Sequence, residues 1–204
     1  MAATTATERD PVRRRPGGRR AAILAAALEL FSRQGYQETG IDEIGAAAGV
    51  SGPAIYRHFG SKQELLAAAF MDSFDRRRTQ IRERLAGATV AAERLELIVR
   101  DTVENTLDER QVLTLYTREL RHLPRDMRAP VQRKQQELTN DWVTVLGDVH
   151  PHLSSSEARM AVVCVHSLIA TLATTDGGMD RDDLEGMLVA MSLAALGAAG
   201  GTAA

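Results

Sequence analysis

Apolar residues recur every three or four positions along most of the chain after residue 19, a spacing typical of amphipathic helices. The first stretch, 19–34, ends before Gly35, and its apolar face consists of Ile23, Leu24, Ala27, Leu28, Leu30 and Phe31. Two short patterns lie between residues 39 and 60, and longer ones cover 62–86, 90–107, 109–123, 125–149, 155–175 and 181–196. The strict alternation that marks a half-buried strand is missing. The chain is therefore predicted to be all-α, with about nine helices.

Residues that end or interrupt helices separate these patterns. Asp108, Pro124, Pro151 and Gly177 fall between the long stretches. Pro130 lies inside the stretch 125–149, where it predicts a kink or a restart of the helix.

The two short patterns predict a helix, a tight turn and a second helix. Thr39 is expected to cap the first helix, and Gly49 to end it. Ser51 is expected to cap the second helix, and Pro53 falls in its first turn, where the missing N–H costs nothing. A helix-turn-helix of this size fits a DNA groove.

The second short helix is predicted to have a buried side and an outer side. The buried side is Val50, Ile55 and Phe59, and the outer side is Gly52, Ala54, Tyr56, Arg57 and His58. Ser61 with Glu64 three residues later predicts a capping box for the following helix. This arrangement places Lys62 and the first-turn N–H groups near a backbone phosphate.

The run AAGVSGPAIYRHFGSKQELL, residues 47–66, resembles the N-terminal domain of tetracycline-repressor-type (TetR family) transcriptional regulators. The resemblance covers roughly 50 residues including the preceding helix, and implies that 52–58 is the recognition helix. It implies base contacts from Ser51, Gly52, Pro53 and Ala54, phosphate contacts mostly from Thr39, Tyr56, His58 and Lys62, and further DNA contacts from Arg19 and Arg57. Family members often carry a basic or hydroxyl residue where this chain has Gly52, Pro53 and Ala54, so apolar contact with thymine methyl groups is expected to replace hydrogen bonds there.

The formal net charge of −2 hides an uneven distribution of basic residues. Arginines cluster just before the motif, at Arg13, Arg14, Arg15, Arg19 and Arg20. They suit an arm that reaches a minor groove or phosphates, or else a solvated leader that aids solubility. The predicted organisation is a basic arm over 1–18, a DNA-binding domain over 19–64, an effector-binding and dimerisation domain over 65–197, and a tail over 198–204.

The last two helices have broad apolar faces. The two faces comprise Ala158, Val162, Val165, Ile169 and Leu172, and Leu184, Leu188, Met191 and Ala195. Such faces suit a four-helix interface between two copies of the chain, or simply the core of one copy. The resemblance favours the homodimer, which would place two recognition helices about 34 Å apart on a near-palindromic operator.

The middle helices are the region where TetR regulators generally bind a small molecule that releases them from DNA. The candidate effector residues are Leu113, Tyr116, Glu119, Leu120, Trp142, Leu146 and Val165, although such spacing also fits an ordinary core. The segments 111–124 and 133–146 are loosely similar to family members that respond to acyl-CoA thioesters. Charge for the phosphates of CoA would come from Arg118, Arg121, Arg125, Arg128, Arg133 and Lys134, which otherwise form an exposed cationic face.

An enzyme is not indicated, because the chain has no nucleophile elbow, P-loop, dinucleotide-binding glycine pattern or HExxH arrangement. No cofactor or metal is predicted. The lone Cys164 lies in an apolar run and is expected to be buried. With no signal-like segment and no apolar run judged long enough to span a bilayer, a cytoplasmic location is predicted. The alternative function is a DNA-binding or interaction module without an effector.

Overall fold

The computed structural model describes residues 18–175 and 177–201. Within these ranges the chain is helical, with no strand, and its helices are α1 Gly18–Gln34, α2 Ile41–Ala48, α3 Gly52–Tyr56, α4 Lys62–Leu85, α5 Ala91–Asp108, α6 Arg110–Glu119, α7 Arg125–Val149, α8 Ser155–Thr174 and α9 Arg181–Gly201. A short 3₁₀ helix, Leu120–His122, follows α6. The all-α prediction is confirmed. The basic arm with Arg13, Arg14 and Arg15 lies outside the described residues.

The N-terminal core is built by α1 to α4 together with parts of the later helices. Its largest buried side chains include Ile23, Phe31, Ile55, Phe59 and Phe70. Leu115 of α6, Leu123 before the start of α7, and Val131 within α7 belong to the same core. The DNA-binding motif is therefore packed directly against the helices in which a ligand site was predicted.

A second core lies among α5, α7, α8 and α9. It consists of residues such as Ile98, Val103, Trp142, Leu146, Val162, Val165, Ile169 and Leu188. α4 joins the two cores, because Leu65 to Phe70 lie in the first and Ile81 lies in the second. The predicted domain boundary after residue 64 falls inside this helix and stays a prediction.

One local prediction was wrong. Gly40, not Thr39, precedes α2 as its N-cap, because the Thr39 hydroxyl donates instead to the carbonyl oxygens of Gly35 at 2.8 Å and Leu30 at 3.3 Å. Of the two outcomes predicted at Pro130, the restart does not occur, since α7 is continuous through it, and the kink stays a prediction. Pro130 is the sixth residue of α7, so the backbone carbonyl that it leaves without a helical donor lies at the N-terminal end.

His166 gives the second core a predicted pH dependence. Burial lowers the pKa of His166 to about 4, from an ordinary value of 6.5, and its ring packs edge-on against Trp142 with centroids 4.7 Å apart. Between these pH values the unfolded chain binds a proton that the folded chain excludes. The free energy of unfolding is therefore highest above pH 6.5 and falls as the pH is lowered toward 4. The expected slope is on the order of 1 kcal/mol per pH unit. Urea unfolding at a series of pH values measures this slope; His166→Phe should flatten it, and an equal slope in that variant would contradict the assignment.

Candidate DNA-binding surface and ligand cavities

The turn between α2 and α3 is closed by short backbone contacts. Gly49 adopts a left-handed conformation with φ 69° and ends α2, and the Val50 N–H donates to the Gly45 carbonyl at 2.8 Å. A Cβ at Gly45 would lie 2.7 Å from the Val50 carbonyl oxygen and 3.1 Å from the Gly52 nitrogen. Glycine at position 45 therefore allows α3 to approach α2 this closely, a requirement that sequence analysis missed.

Gly45→Ala is expected to lower the free energy of unfolding by about 1–3 kcal/mol, because the new methyl group meets backbone that cannot move without opening the turn. DNA affinity should fall with it, since the displaced element is α3. Gly147→Ala is the matched control: it lies within α7, and an added Cβ there meets nothing within 4 Å. This control should be neutral or stabilising by about 0.5–1 kcal/mol. Denaturant unfolding compares the two, and equal stabilities would refute the argument.

The outer surface of α3 carries most of the predicted DNA contacts. Ser51, Pro53, Tyr56, Arg57 and His58 are exposed, with Tyr56 53% exposed, while Ala54 is half-buried and Ile55 and Phe59 are buried. Gly52 is buried, contrary to prediction, because it faces α2, where an added Cβ would lie 2.0 Å from an Asp42 carboxylate oxygen. Gly52 therefore serves the packing of α3 on α2 and presents no side to DNA. Ser51 precedes α3 as predicted, but its side chain makes no capping hydrogen bond.

The first turn of α4 lies beside this surface. Ser61 accepts a hydrogen bond from the Glu64 N–H at 3.0 Å, as expected of its half of the capping box, whereas the Glu64 carboxylate accepts from the Gly60 N–H at 2.8 Å. Lys62 is half-buried, and its ammonium lies 4.7 Å from the centre of the Tyr36 ring and donates to the Gln37 carbonyl at 3.2 Å. Burial is the largest influence on the Lys62 pKa and lowers it, and the charges of Glu38 and Glu119 oppose that effect.

Two other predicted DNA contacts have different positions. Arg19 is exposed at the start of α1, next to Arg20, whose guanidinium lies 5.2 Å from the centre of the Phe59 ring. Thr39 is 1% exposed and its hydroxyl is taken up by the two carbonyls that it contacts. The predicted phosphate contact by the Thr39 side chain is therefore wrong. The Thr39 side chain instead joins the end of α1 to the start of α2.

A cavity of about 200 Å³ lies among α4, α5, α6 and α7, and is called here the α4–α6 cavity. Its lining includes Phe70, Phe74, Arg77, Leu113, Tyr116 and Leu138. Tyr116 packs edge-on against Phe70 and Phe74, with centroids 5.4 Å away in each case. Burial raises the pKa of Tyr116 to about 12, so this cavity presents a neutral phenol among apolar side chains.

A larger cavity of about 560 Å³ lies on the opposite side of α6 and is called the α1–α6 cavity. Its walls are the end of α1, the outer face of α6, and the region from the end of α8 to the start of α9. Among the residues that the structure describes, none lines both cavities.

The structure separates the predicted effector residues into three groups. Leu113 and Tyr116 line the α4–α6 cavity, and Glu119 lines the α1–α6 cavity. Leu120 packs on the N-terminal core. Trp142, Leu146 and Val165 are at most 1% exposed in the second core and line neither of these two cavities.

The basic run of α4, which comprises Arg76, Arg77, Arg78, Arg82 and Arg84, is of a kind that usually forms a solvated face, but two of its members are bound to other helices. Arg77 forms an ion pair with the buried Asp101 of α5. Arg78 pairs with Asp141 at 2.6 Å and Glu137 at 2.5 Å on α7. The acids lie 24 to 63 residues further along the chain, so local sequence spacing could not reveal them.

The arginines and lysine predicted to surround CoA phosphates do not line one common cavity. Arg118 lines the α1–α6 cavity, and Lys134 pairs with Asp75 at 2.8 Å. None of the six lines the α4–α6 cavity.

The faces predicted for an interface in the last two helices are partly buried and partly exposed. Buried within one chain are Ala158, Val162, Val165, Ile169, Leu184 and Leu188, so the alternative of a monomer core holds for these residues. Met191 and Ala195 of the predicted α9 face are exposed, Met191 by 41%, and Met160 and Val163 of α8, outside the predicted face, are exposed by 64% and 44%. Cys164 is also exposed, contrary to prediction.

α8 and α9 are also long and apolar enough to pass a test for membrane spans based on length and composition, which the sequence analysis did not anticipate. Core helices of soluble proteins pass the same test, so this is weak evidence for a span.

Comparison with known proteins identifies relatives of this chain and structures with the same fold. Among curated relatives, the HTH-type transcriptional activator FasR of Mycolicibacterium smegmatis is 41% identical over 81 residues, which is 40% of this chain and 37% of FasR. The HTH-type transcriptional repressor KstR2 of Rhodococcus jostii is 27% identical over 130 residues, which is 63% of this chain and 64% of KstR2. These matches thus span less than two thirds of the relatives' own lengths.

Among solved structures, the regulator FadR of Bacillus subtilis in complex with stearoyl-CoA has the same fold, with a TM-score of 0.71 and 19% identity over 86% of this chain and 98% of that one. The family model for bacterial regulatory proteins of the tetR family matches residues 23–69. The model for the tetracyclin repressor-like C-terminal domain matches residues 88–196, more than half of the chain. The chain therefore belongs to the TetR family of helix-turn-helix transcriptional regulators.

Proposed function

We propose that this chain is a ligand-responsive repressor that binds a near-palindromic operator as a homodimer in the cytoplasm and is released by a small hydrophobic effector. The main support for this proposal is the position of α6. Leu113 and Tyr116 on one face line the α4–α6 cavity, while Leu115 on another face is part of the core that supports α1 to α3. A ligand that displaces α6 would therefore disturb the packing of the DNA-binding motif.

The effector is proposed to enter the α4–α6 cavity. Phe70, Phe74, Leu113 and Leu138 favour an apolar group, and the Tyr116 hydroxyl and Arg77 guanidinium supply polar contacts at its wall. An acyl-CoA is the first candidate, supported by the stearoyl-CoA bound to FadR and by the apolar lining. The cavity of about 200 Å³ is small for a long acyl chain, so binding requires α6 or its neighbours to move.

The dimer is proposed to form through the exposed faces of α8 and α9. The interface would bury the exposed side chains of Met160, Val163 and Met191. The alanines around Ala195 allow the helices of two copies to approach closely. Such a dimer would present two copies of α3 to successive major grooves about 34 Å apart.

Release follows from a difference in affinity. An effector that binds better to the dimer arrangement with wrongly spaced α3 helices lowers operator affinity in proportion to that preference. A difference of a few kcal/mol in its binding free energy between the two arrangements is enough to release the protein from DNA. Regulators related to this chain include both an activator and a repressor, and repression is the simpler outcome when the effector removes the protein from DNA.

Selection of duplexes from a random pool, followed by anisotropy titration and mass determination of the complex, tests the proposal. We expect an inverted repeat, a complex containing an even number of chains, and weaker binding when medium- or long-chain acyl-CoA is added. Weak, steeply salt-dependent binding to all duplexes would favour the alternative, a DNA-binding module without an effector.

Lys62→Gln and Ala54→Val should separate phosphate contact from base readout. Lys62→Gln is expected to weaken binding to all duplexes alike and to reduce the slope of log affinity against log salt by about 1. Ala54→Val adds apolar bulk at the outer surface of α3 and should change preference between duplexes by about 1–3 kcal/mol. Anisotropy titrations at several salt concentrations measure both, and a loss of sequence preference in Lys62→Gln would count against its assignment.

A further inference from the structure

The α1–α6 cavity is large enough for a ligand and is unlike the α4–α6 cavity in its charge. Its volume of about 560 Å³ falls within the range of small-molecule sites. Phe31 and Tyr36 form one wall, and Leu172, Leu184 and Met187 form the opposite wall. Between these apolar walls, α6 contributes polar and cationic side chains.

Three side chains of α6 line this cavity at a spacing of four residues. Arg110, Thr114 and Arg118 therefore lie one above another on the same helix face. The Arg110 Nε is buried and has no hydrogen-bond partner. Neither Arg110 nor Arg118 forms an ion pair with any residue that the structure describes, whereas Arg33, the remaining arginine of the lining, pairs with Glu29 at 3.1 Å.

One carboxylate, Glu119, is present among the described residues of the lining, and it lies at the other end of α6 from Arg110. Nine residues of helix separate them by about 13 Å. Burial raises the pKa of Tyr36 and the charge of Glu119 adds to that rise, while burial lowers the pKa of Lys62 and the charge of Glu119 opposes that change. Among the residues that the structure describes, the lining therefore has no carboxylate at the Arg110 end of the cavity to compensate the positive charge.

The buried Arg110 Nε leaves its N–H without an acceptor, which is costly, and an anionic group is the acceptor that recovers most of this cost. We propose that the α1–α6 cavity is a second ligand site, distinct from the α4–α6 cavity, for an amphipathic monocarboxylate. The carboxylate accepts hydrogen bonds from Arg110 and Arg118, and the apolar body lies between Tyr36 and the side chains of Leu172 and Met187. Binding at this site does not depend on the proposed operator or effector.

Calorimetric titration of the full chain tests the site with decanoate and 2-naphthoate, each beside its neutral primary amide. We expect saturable binding of at least one carboxylate, and affinity at least tenfold weaker for its amide. The double variant Arg110→Gln/Arg118→Gln should lose at least tenfold in carboxylate affinity and leave amide binding unchanged. Arg125→Gln, which removes an exposed arginine that lines neither cavity, is the matched control and should bind like the original chain.

Hydrogen exchange locates the ligand independently of the variants. A bound carboxylate should protect amides of 31–36 and 110–118, and have less effect on 70–80. Absence of saturable binding by both carboxylates overturns the proposal. So does equal affinity of the double variant when its unfolding curve matches that of the original chain, or protection confined to 70–80, which would place the ligand in the α4–α6 cavity.

Discussion

Trp142→Ala is expected to lower the free energy of unfolding by about 3–5 kcal/mol. The side chain is 1% exposed in the core formed by α5, α7, α8 and α9, and His166 packs against its ring. Removing the indole leaves a void that these helices can close only in part. Because tryptophan fluorescence is lost with the residue, urea unfolding followed by circular dichroism is the appropriate measurement.

Trp142→Phe separates the structural role from the effector role first predicted for this residue. It keeps an aromatic ring in the core and should cost less than the alanine change, leaving a folded protein for ligand titration. Effector affinity should remain within about twofold of the original, since Trp142 lines neither cavity. A loss below about 1 kcal/mol in Trp142→Ala would show that the core does not depend on this side chain.

Trp142 was predicted as an effector contact and lies in the core, which shows how much helical periodicity can predict. Spacing of three and four residues identified the inward face of α7, and the structure confirms that this face is buried. Periodicity does not identify the neighbour that covers a face, so core and cavity wall were indistinguishable. The same limit applies to α8, where Val162 and Val165 pack within the chain and the exposed Met160 and Val163 lie on the other side.

The helix-turn-helix was predicted more fully because its signals are local. Gly49, Pro53 and the pair Ser61 and Glu64 each affect backbone within a few residues. Thr39 and Gly52 were misassigned because their burial depends on contacts across the turn, with α1 and α2. Sequence spacing contains no direct record of such contacts.

The ion pairs of α4 are the clearest case of information that local patterns lack. Arg77 and Asp101 are 13% and 5% exposed at their side chains, and the Arg77 guanidinium also donates to the Asp101 carbonyl at 2.8 Å. Their pairing became visible only when α4 and α5 were placed side by side. An arginine run that resembles a solvated face thus contains a buried connection between two helices, and this connection borders the α4–α6 cavity.

Arg77→Met is expected to destabilise the chain by about 3 kcal/mol, because it leaves the buried Asp101 carboxylate with a weaker set of partners. Arg84, 2.9 Å from Asp101 and 51% exposed, remains and limits the loss. Replacing both members, Arg77→Met with Asp101→Leu, removes the buried charge as well and should restore stability to within about 1 kcal/mol of the original or exceed it. Urea unfolding of the two single variants and the double variant gives the coupling energy. A double variant as unstable as the sum of the single variants would mean that the two side chains act independently and that the ion pair does not hold α4 against α5.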